Sequence, residues 1–149
     1  MKSSKNLVEL IKKFEGFRPK PYLDIVGIPT IGYGSTFYPN GKKVSTSDRP
    51  INESIGESLL LSAASKFENV INSLVKKKIN QNQFDALVSF IFNIGPTAFK
   101  KSTILRKINL NPSDPSIREE FLKWNKSGGK VINGLTMRRN LESNLYFRI

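Results

Sequence analysis

Apolar residues recur at helical spacing through Leu7, Leu10, Ile11 and Phe14, with Gly16 as the natural stop, so a first helix is expected to end where Glu15 stands. From Tyr22 to about Val44 the pattern changes. Pro29, Pro39 and glycines 27, 32, 34 and 41 break any helix, while Ile28, Ile31, Tyr33 and Val44 suit short strands in a hairpin or small sheet. A long helix is predicted from near Glu53, its apolar face running through Leu60, Ala64, Phe67, Ile71 and Leu74; Gly56 costs it about 1 kcal/mol against alanine. Asn80 and Gln83 form a capping pair for a helix from Gln81 to about Asn93, which Gly95 and Pro96 end. Its run Phe84, Leu87, Val88, Phe90, Ile91 is apolar on most sides, as the central helix of a bundle should be. Shorter helices are expected over Thr103 to Ile108 behind Ser102, Pro115 to Lys126 with Asp114 as N-cap, and Leu135 to about Phe147. The fold class is therefore α+β, mainly α. Phe84, Phe90, Phe92 and Phe99 are core candidates; Trp124, beside Phe121 and Leu122, suits the core or a sugar-stacking role.

Composition narrows this picture. A chain of 149 residues is one domain's length and buries a core without metal or disulfide help. It has no cysteine, which excludes thiol redox chemistry and a disulfide framework, and no histidine, which excludes histidine catalysis. Twelve scattered carboxylates without His or Cys make no recognisable transition-metal site, and no cofactor is implied. Neither a secretory signal nor a run of roughly 20 apolar residues is seen, so no membrane insertion is expected. The formal net charge of +12 points to an anionic partner, nucleic acid or a cell envelope, and charge alone does not choose between them. The Lys76-Lys77-Lys78 run also suits a solvated helix end favoured by the macrodipole.

The chemistry concentrates in Phe14-Glu15-Gly-Phe-Arg-Pro-Lys-Pro-Tyr22-Leu-Asp24-Ile-Val-Gly-Ile-Pro-Thr30-Ile-Gly-Tyr-Gly34. Breaking an acetal needs an acid for the leaving oxygen and a carboxylate across the sugar, to activate water or to stabilise the oxocarbenium-like centre. Glu15 suits the acid, a role that asks for a partly dry pocket. A carboxylate at a helix C-terminus is otherwise disfavoured by the dipole. Asp24 alone would be an ordinary turn residue before Gly27, and Thr30 an ordinary strand residue.

The order and spacing of Glu15, Asp24 and Thr30 resemble the phage-type lysozymes of glycoside hydrolase family 24. Asn80-Gln-Asn-Gln83 through Asn93-Ile-Gly95, Ser102 to Asn109, Phe121-Leu-Lys-Trp124 and Gly134-Leu-Thr-Met-Arg138-Arg139 are similar to successive family blocks, covering nearly the whole chain. The resemblance implies one lysozyme-like domain over 1–149. A small lobe (about 15–52) would be joined by a long helix to a helical lobe (about 53–149 plus the N-terminal helix), with the cleft between them. It implies a monomeric endolysin that hydrolyses the β-1,4 bond between N-acetylmuramic acid and N-acetylglucosamine in peptidoglycan, waits in the host cytoplasm for holin-dependent release, and has no nucleic-acid partner. Glu15 would be the acid, with Asp24 and Thr30 at the attacking water; inversion would set the carboxyls roughly 6.5 to 9.5 Å apart rather than about 5 Å. Asn93 and Arg138 are candidate substrate contacts, with C-capping and bracing as their respective alternatives. Ser35 stands where many relatives carry histidine. A lytic transglycosylase, or a non-catalytic basic module binding wall polymer or nucleic acid, are the other readings.

Overall fold

The first helix begins where a serine meets a buried carboxylate. Asp85 accepts the Ser4 N–H at 3.0 Å, the Ser4 hydroxyl, and Gln81 Nε2 at 3.0 Å. In the computed structural model, which describes residues 1–149, helix α1 then runs over Lys5–Glu15. It stops as expected at Gly16, whose left-handed backbone (φ 64°) turns its N–H onto the Lys12 carbonyl.

Strand β1 (Arg18–Leu23) pairs antiparallel with β2 (Pro29–Gly32), Tyr22 opposite Thr30 and Leu23 opposite Pro29. β1 starts four residues before the expected strand region, in a stretch holding Pro19 and Pro21. A two-stranded ribbon tolerates prolines because each strand has a free edge, and the register is bulged between Arg18 and Tyr22. Ile31 exchanges both backbone hydrogen bonds with Ser35 instead, each 2.9 Å.

Helix α2 (Glu53–Leu74) follows, then α3 (Gln81–Ile94), α4 (Pro96–Lys100), α5 (Thr103–Leu110), α6 (Ile117–Leu122), a short hairpin of β3 (Lys126–Ser127) and β4 (Lys130–Val131), and α7 (Asn133–Tyr146). The capping pair of α3 is complete, Asn80 and Gln83 each accepting the other's N–H at 2.8 Å. Two expectations need correction. Asp114 spends its Oδ1 on the Ser116 N–H and hydroxyl, making a turn, so α6 starts at Ile117 rather than Pro115. It also ends at Leu122, because Gly128 and Gly129 (φ 58° and 79°) fold the next residues into a two-residue hairpin. Pro96 both ends α3 and opens α4, since proline suits a first helical turn.

The chain packs as two compact units, residues 8–66 and residues 1–7 with 67–149. In the first, Ile31, Val44 and Leu59 are buried with Tyr38 and Ile51 against them. Phe17 and Tyr33 meet at 5.2 Å between ring centroids, and a methyl group on Gly56 would stand 2.9 Å from Phe17 Cε1 and 3.3 Å from Tyr33 Cδ2. The helix-weakening glycine of α2 is therefore a packing requirement. Tyr38 donates to Asp48 Oδ2 at 2.6 Å, and the Ser45 N–H donates to the same oxygen at 2.8 Å. Burial, then the Asp48 bond, pushes the Tyr38 phenol up to about 12, while the Tyr38 and Ser45 bonds hold Asp48 below the usual carboxylate range. In the helical unit α3 packs on α7 and α4, and Phe90 is met edge-on by Phe99, Phe121 and Trp124. Of the expected core aromatics, Phe84, Phe90 and Phe99 are fully buried; Phe92 is half-buried against Phe67.

Gly→Ala in a helix normally stabilises by about 1 kcal/mol. Here Gly56→Ala is expected to destabilise by about 1–3 kcal/mol through overpacking, read as a lower urea midpoint. Asp48→Asn should bring the Tyr38 titration down from about 12, leaving it above the ordinary phenol value because burial remains, as followed by NMR of labelled tyrosine. The signs follow from linkage: Asp48's contribution is present above its unfolded value and lost as pH falls through its depressed folded one, whereas Tyr38's is lost as pH rises through about 12.

Candidate active site

Glu15 is the last residue of α1, and its side chain is exposed on the unit formed by residues 8–66. One turn earlier Lys12 pairs with Glu57 and lies 5.6 Å from the Tyr33 ring, fixing this end of the helix on α2 and on the segment after β2. That segment reaches Gly34, whose φ of 84° belongs to the left-handed region. A methyl group there would stand 2.9 Å from Glu15 Oε2 and 3.2 Å from its Cδ. A side chain there would push against the carboxyl as it stands, so Gly34 lines the Glu15 site. Sequence reading gave Gly34 only a helix-breaking part; the signal that could have found it is the Gly32-Tyr33-Gly34 pair of glycines, which brings backbone close to whatever lies beside it.

Asp24 and Thr30 flank the β1–β2 turn and share one peptide partner. Asp24 Oδ1 accepts the Val26 N–H at 2.9 Å and the Ile28 N–H at 2.8 Å, and the Asp24 N–H returns a 3.0 Å bond to the Ile28 carbonyl. The Thr30 hydroxyl donates to that same carbonyl at 2.9 Å. Asp24 is thus the turn residue its local context suggests, but the turn occupies one carboxylate oxygen and leaves the other for chemistry. Thr30 is almost wholly buried (4%) and Asp24 half-buried. With its proton committed to a backbone carbonyl, the Thr30 oxygen can only accept from a newcomer, and a water molecule is a suitable donor.

Glu15, Asp24 and Thr30 therefore fall in one unit, and Asn93 and Arg138 in the other. Asn93 is exposed in the last turn of α3; the helix is closed by the Gly95 N–H on the Ile91 carbonyl, so the Asn93 amide is not its C-cap. Arg138 is buried (6%), donating to the Ser89 carbonyl at 3.1 Å and to Glu142 Oε2 at 3.3 Å. Sequence reading missed the group around it. Glu142 is wholly buried, takes the Ser89 hydroxyl at 2.6 Å, and lies 2.7 Å from Arg139 Nε as an ion pair outside hydrogen-bonding alignment. Burial pushes the Glu142 carboxyl up, against the pull of Arg139 and Arg138. Arg139 donates to the Trp124 carbonyl at 3.2 Å and covers the Phe90 ring at 5.1 Å, which places Trp124 in this core rather than on a free sugar platform. A legible signal existed: Glu142 stands four and three residues after the arginine pair, on one helical face.

Residues 12–142 match the family described as Phage lysozyme. The chain is 42% identical over 146 residues to the endolysin of Salmonella phage P22, covering 98% of both chains. It is 41% identical over 139 residues to the endolysin of Bacillus phage B103, where the match takes in 93% of this chain and 51% of that protein, so it spans about half the length of that relative. Among solved structures, the endolysin from Escherichia coli O157:H7 phage FAHEc1 superposes with a TM-score of 0.90 at 37% identity, over 99% of this chain and 94% of that one. The chain belongs to the phage lysozyme family, a family of lysozyme-type glycoside hydrolases.

Proposed function

We propose that this chain is an endolysin with muramidase activity, a single lysozyme domain over residues 1–149 that hydrolyses the β-1,4 bond between N-acetylmuramic acid and N-acetylglucosamine in bacterial peptidoglycan. The observation that carries the chemistry is the shared residue Ile28, which holds Asp24 and Thr30 in register, the Thr30 hydroxyl left as an acceptor and one Asp24 carboxylate oxygen uncommitted. Glu15 gives its proton to the glycosidic oxygen as the C1–O bond breaks. A water held by Thr30 and Asp24 adds to C1 from the opposite face, with its proton passing to Asp24, and the configuration inverts. Solvent then carries that proton back to Glu15. Asn93, exposed and amide-bearing, is the residue we assign to sugar hydroxyl or N-acetyl contacts. Arg138 we assign first to positioning, through its bonds to Ser89 and Glu142. We further read the protein as a monomer with no nucleic-acid partner that stays in the host cytoplasm until a holin opens the membrane; no helix is long and apolar enough to cross one.

Three variants test this on purified peptidoglycan. Glu15→Gln should lower turbidity clearance by about 10²–10⁴-fold, the range of a lost general acid. Thr30→Val should lose about 10- to 100-fold in kcat, the worth of one hydrogen bond to a reacting water, while Thr30→Ser retains most of it. Released fragments should carry new reducing ends, α-configured when first seen by NMR; 1,6-anhydro ends would instead mean a transglycosylase. Equal lysis by Glu15→Gln and the unmodified chain would remove the acid assignment and leave a binding module.

Gly34→Ala adds a test of the wall behind Glu15. The added methyl is relieved most cheaply by displacing the carboxyl, so kcat of the folded variant should drop at least 10-fold while KM stays within about twofold; the strained backbone separately lowers stability by about 1–3 kcal/mol, read as a lower urea midpoint.

A further inference from the structure

Charge is unevenly shared between the two units. Residues 1–7 and 67–149 hold 16 of the 24 Lys and Arg but 6 of the 12 Asp and Glu, an excess of ten positive charges out of the net twelve. Within that unit three depressions lie along the C-terminal part of α2 and the α2–α3 connection. One of about 370 Å³ lies between α2 and α4, floored by Val70, Leu74 and Pro96 and edged by Lys100. Two more, of about 150 and 340 Å³, meet at Lys78 and Ile79, with Lys77 on the first. No carboxylate lines any of them.

A lysine run after a helix is ordinarily a solvated terminus. That account covers Lys76, whose Nζ donates to the Ser73 carbonyl in the last turn of α2 and whose N–H is held by Asn109. It does not cover Lys77, Lys78 and Lys100, whose side chains make no ion pair or hydrogen bond with the chain, as at other exposed lysines such as Lys42, Lys43 and Lys126; what sets these three apart is that each borders a depression with apolar lining. We propose that Lys77, Lys78 and Lys100 form a docking surface for a linear polyol-phosphate polymer, of the kind some bacteria attach to peptidoglycan; this deepens the peptidoglycan reading and rests on it.

Three features select that chemistry. The cations that line these depressions are all lysines, which meet a phosphodiester as point charges without the forked geometry that arginine brings to carboxylates. Apolar floors beside each cation suit the carbon backbone of a polyol. No exposed aromatic ring lines the depressions, Phe84 being fully buried, so nothing is offered for bases to stack on and single-stranded nucleic acid is disfavoured.

The test compares the native chain with Lys77→Ser/Lys78→Ser/Lys100→Ser and with Lys42→Ser/Lys43→Ser/Lys126→Ser, which removes the same charge from other exposed positions. Binding to poly(glycerol phosphate), and separately to single-stranded DNA of equal charge, is titrated between 50 and 200 mM salt, about the range over which phosphate contacts weaken strongly. Expected is at least a 10-fold loss of polymer affinity in the first variant, with a log–log salt slope smaller by about two to three, at roughly 0.7–0.9 per phosphate contact. The second variant should lose no more than about threefold, and hydrolysis of polymer-free peptidoglycan should be unchanged in both. Equal losses in the two variants, tighter binding to the DNA, or no binding by the native chain would each overturn the proposal. Because binding is read without hydrolysis, failure of the muramidase reading shows in the Glu15→Gln assay and not here.

Discussion

One carboxylate oxygen holds the β1–β2 turn. Asp24 Oδ1 takes two backbone donors that would otherwise face solvent across a bend containing Gly27, and through Ile28 it fixes the peptide on which Thr30 also hangs. The proposed water site therefore exists only while Asp24 is both a structural acceptor and a chemical group. The two duties compete little, because a turn needs an acceptor with a lone pair in one direction and water activation needs the other oxygen. Substitutions at this residue divide accordingly. An amide keeps an acceptor for Val26 and Ile28 but loses the base, whereas alanine loses the turn as well, so activity loss in Asp24→Ala reports on both.

In the helical unit the analogous centre is Glu142, whose burial without water is costly and is offset by two guanidiniums and a hydroxyl. The pairing joins α7 to α3, because Ser89 gives its hydroxyl to Glu142 and its carbonyl to Arg138. Such a cluster contributes less net stability than an apolar replacement of equal volume, yet removing one partner would strand a charge in the core. It ties α7 to α3 through the Ser89 hydroxyl and carbonyl, each of which meets a charged group of α7. That is why Arg138, approached from sequence as a substrate contact or a brace, is bound up with backbone and carboxylate where it stands.

What the sequence disclosed depended on how local the cause was. Helix α3 was legible at both ends, because Asn80, Gln83, Gly95 and Pro96 act within a turn of where they stand. The Glu15, Asp24, Thr30 set was legible for a related reason, since all three lie within a short stretch punctuated by glycine and proline. Misread elements had causes outside the pattern. β1 hides behind Pro19 and Pro21, which argue against a strand until one knows the ribbon has only two strands. Helix α6 is shorter than its apolar periodicity because Asp114 makes a turn in place of a cap, and because the Gly128-Gly129 hairpin takes Lys126, the last residue of the expected helix, into a strand. Gly34 against Glu15 and Ser89 against Glu142 are contacts between segments, which no spacing rule reports.

The distribution of charge completes the functional picture. The unit bearing Glu15 and Asp24 holds an excess of only two positive charges, eight Lys and Arg against six Asp and Glu, although the whole chain carries twelve. Acid–base hydrolysis needs one carboxyl protonated and its partner ionised, so their surroundings must differ. A dense cationic shell would favour the ionised form of both, erasing the difference on which the reaction depends. With eight Lys and Arg against six Asp and Glu, this unit carries no such shell of its own around the proposed Glu15 and Asp24 pair. The ten excess positive charges of the other unit would attract an anionic wall at long range, with screening by salt setting the reach.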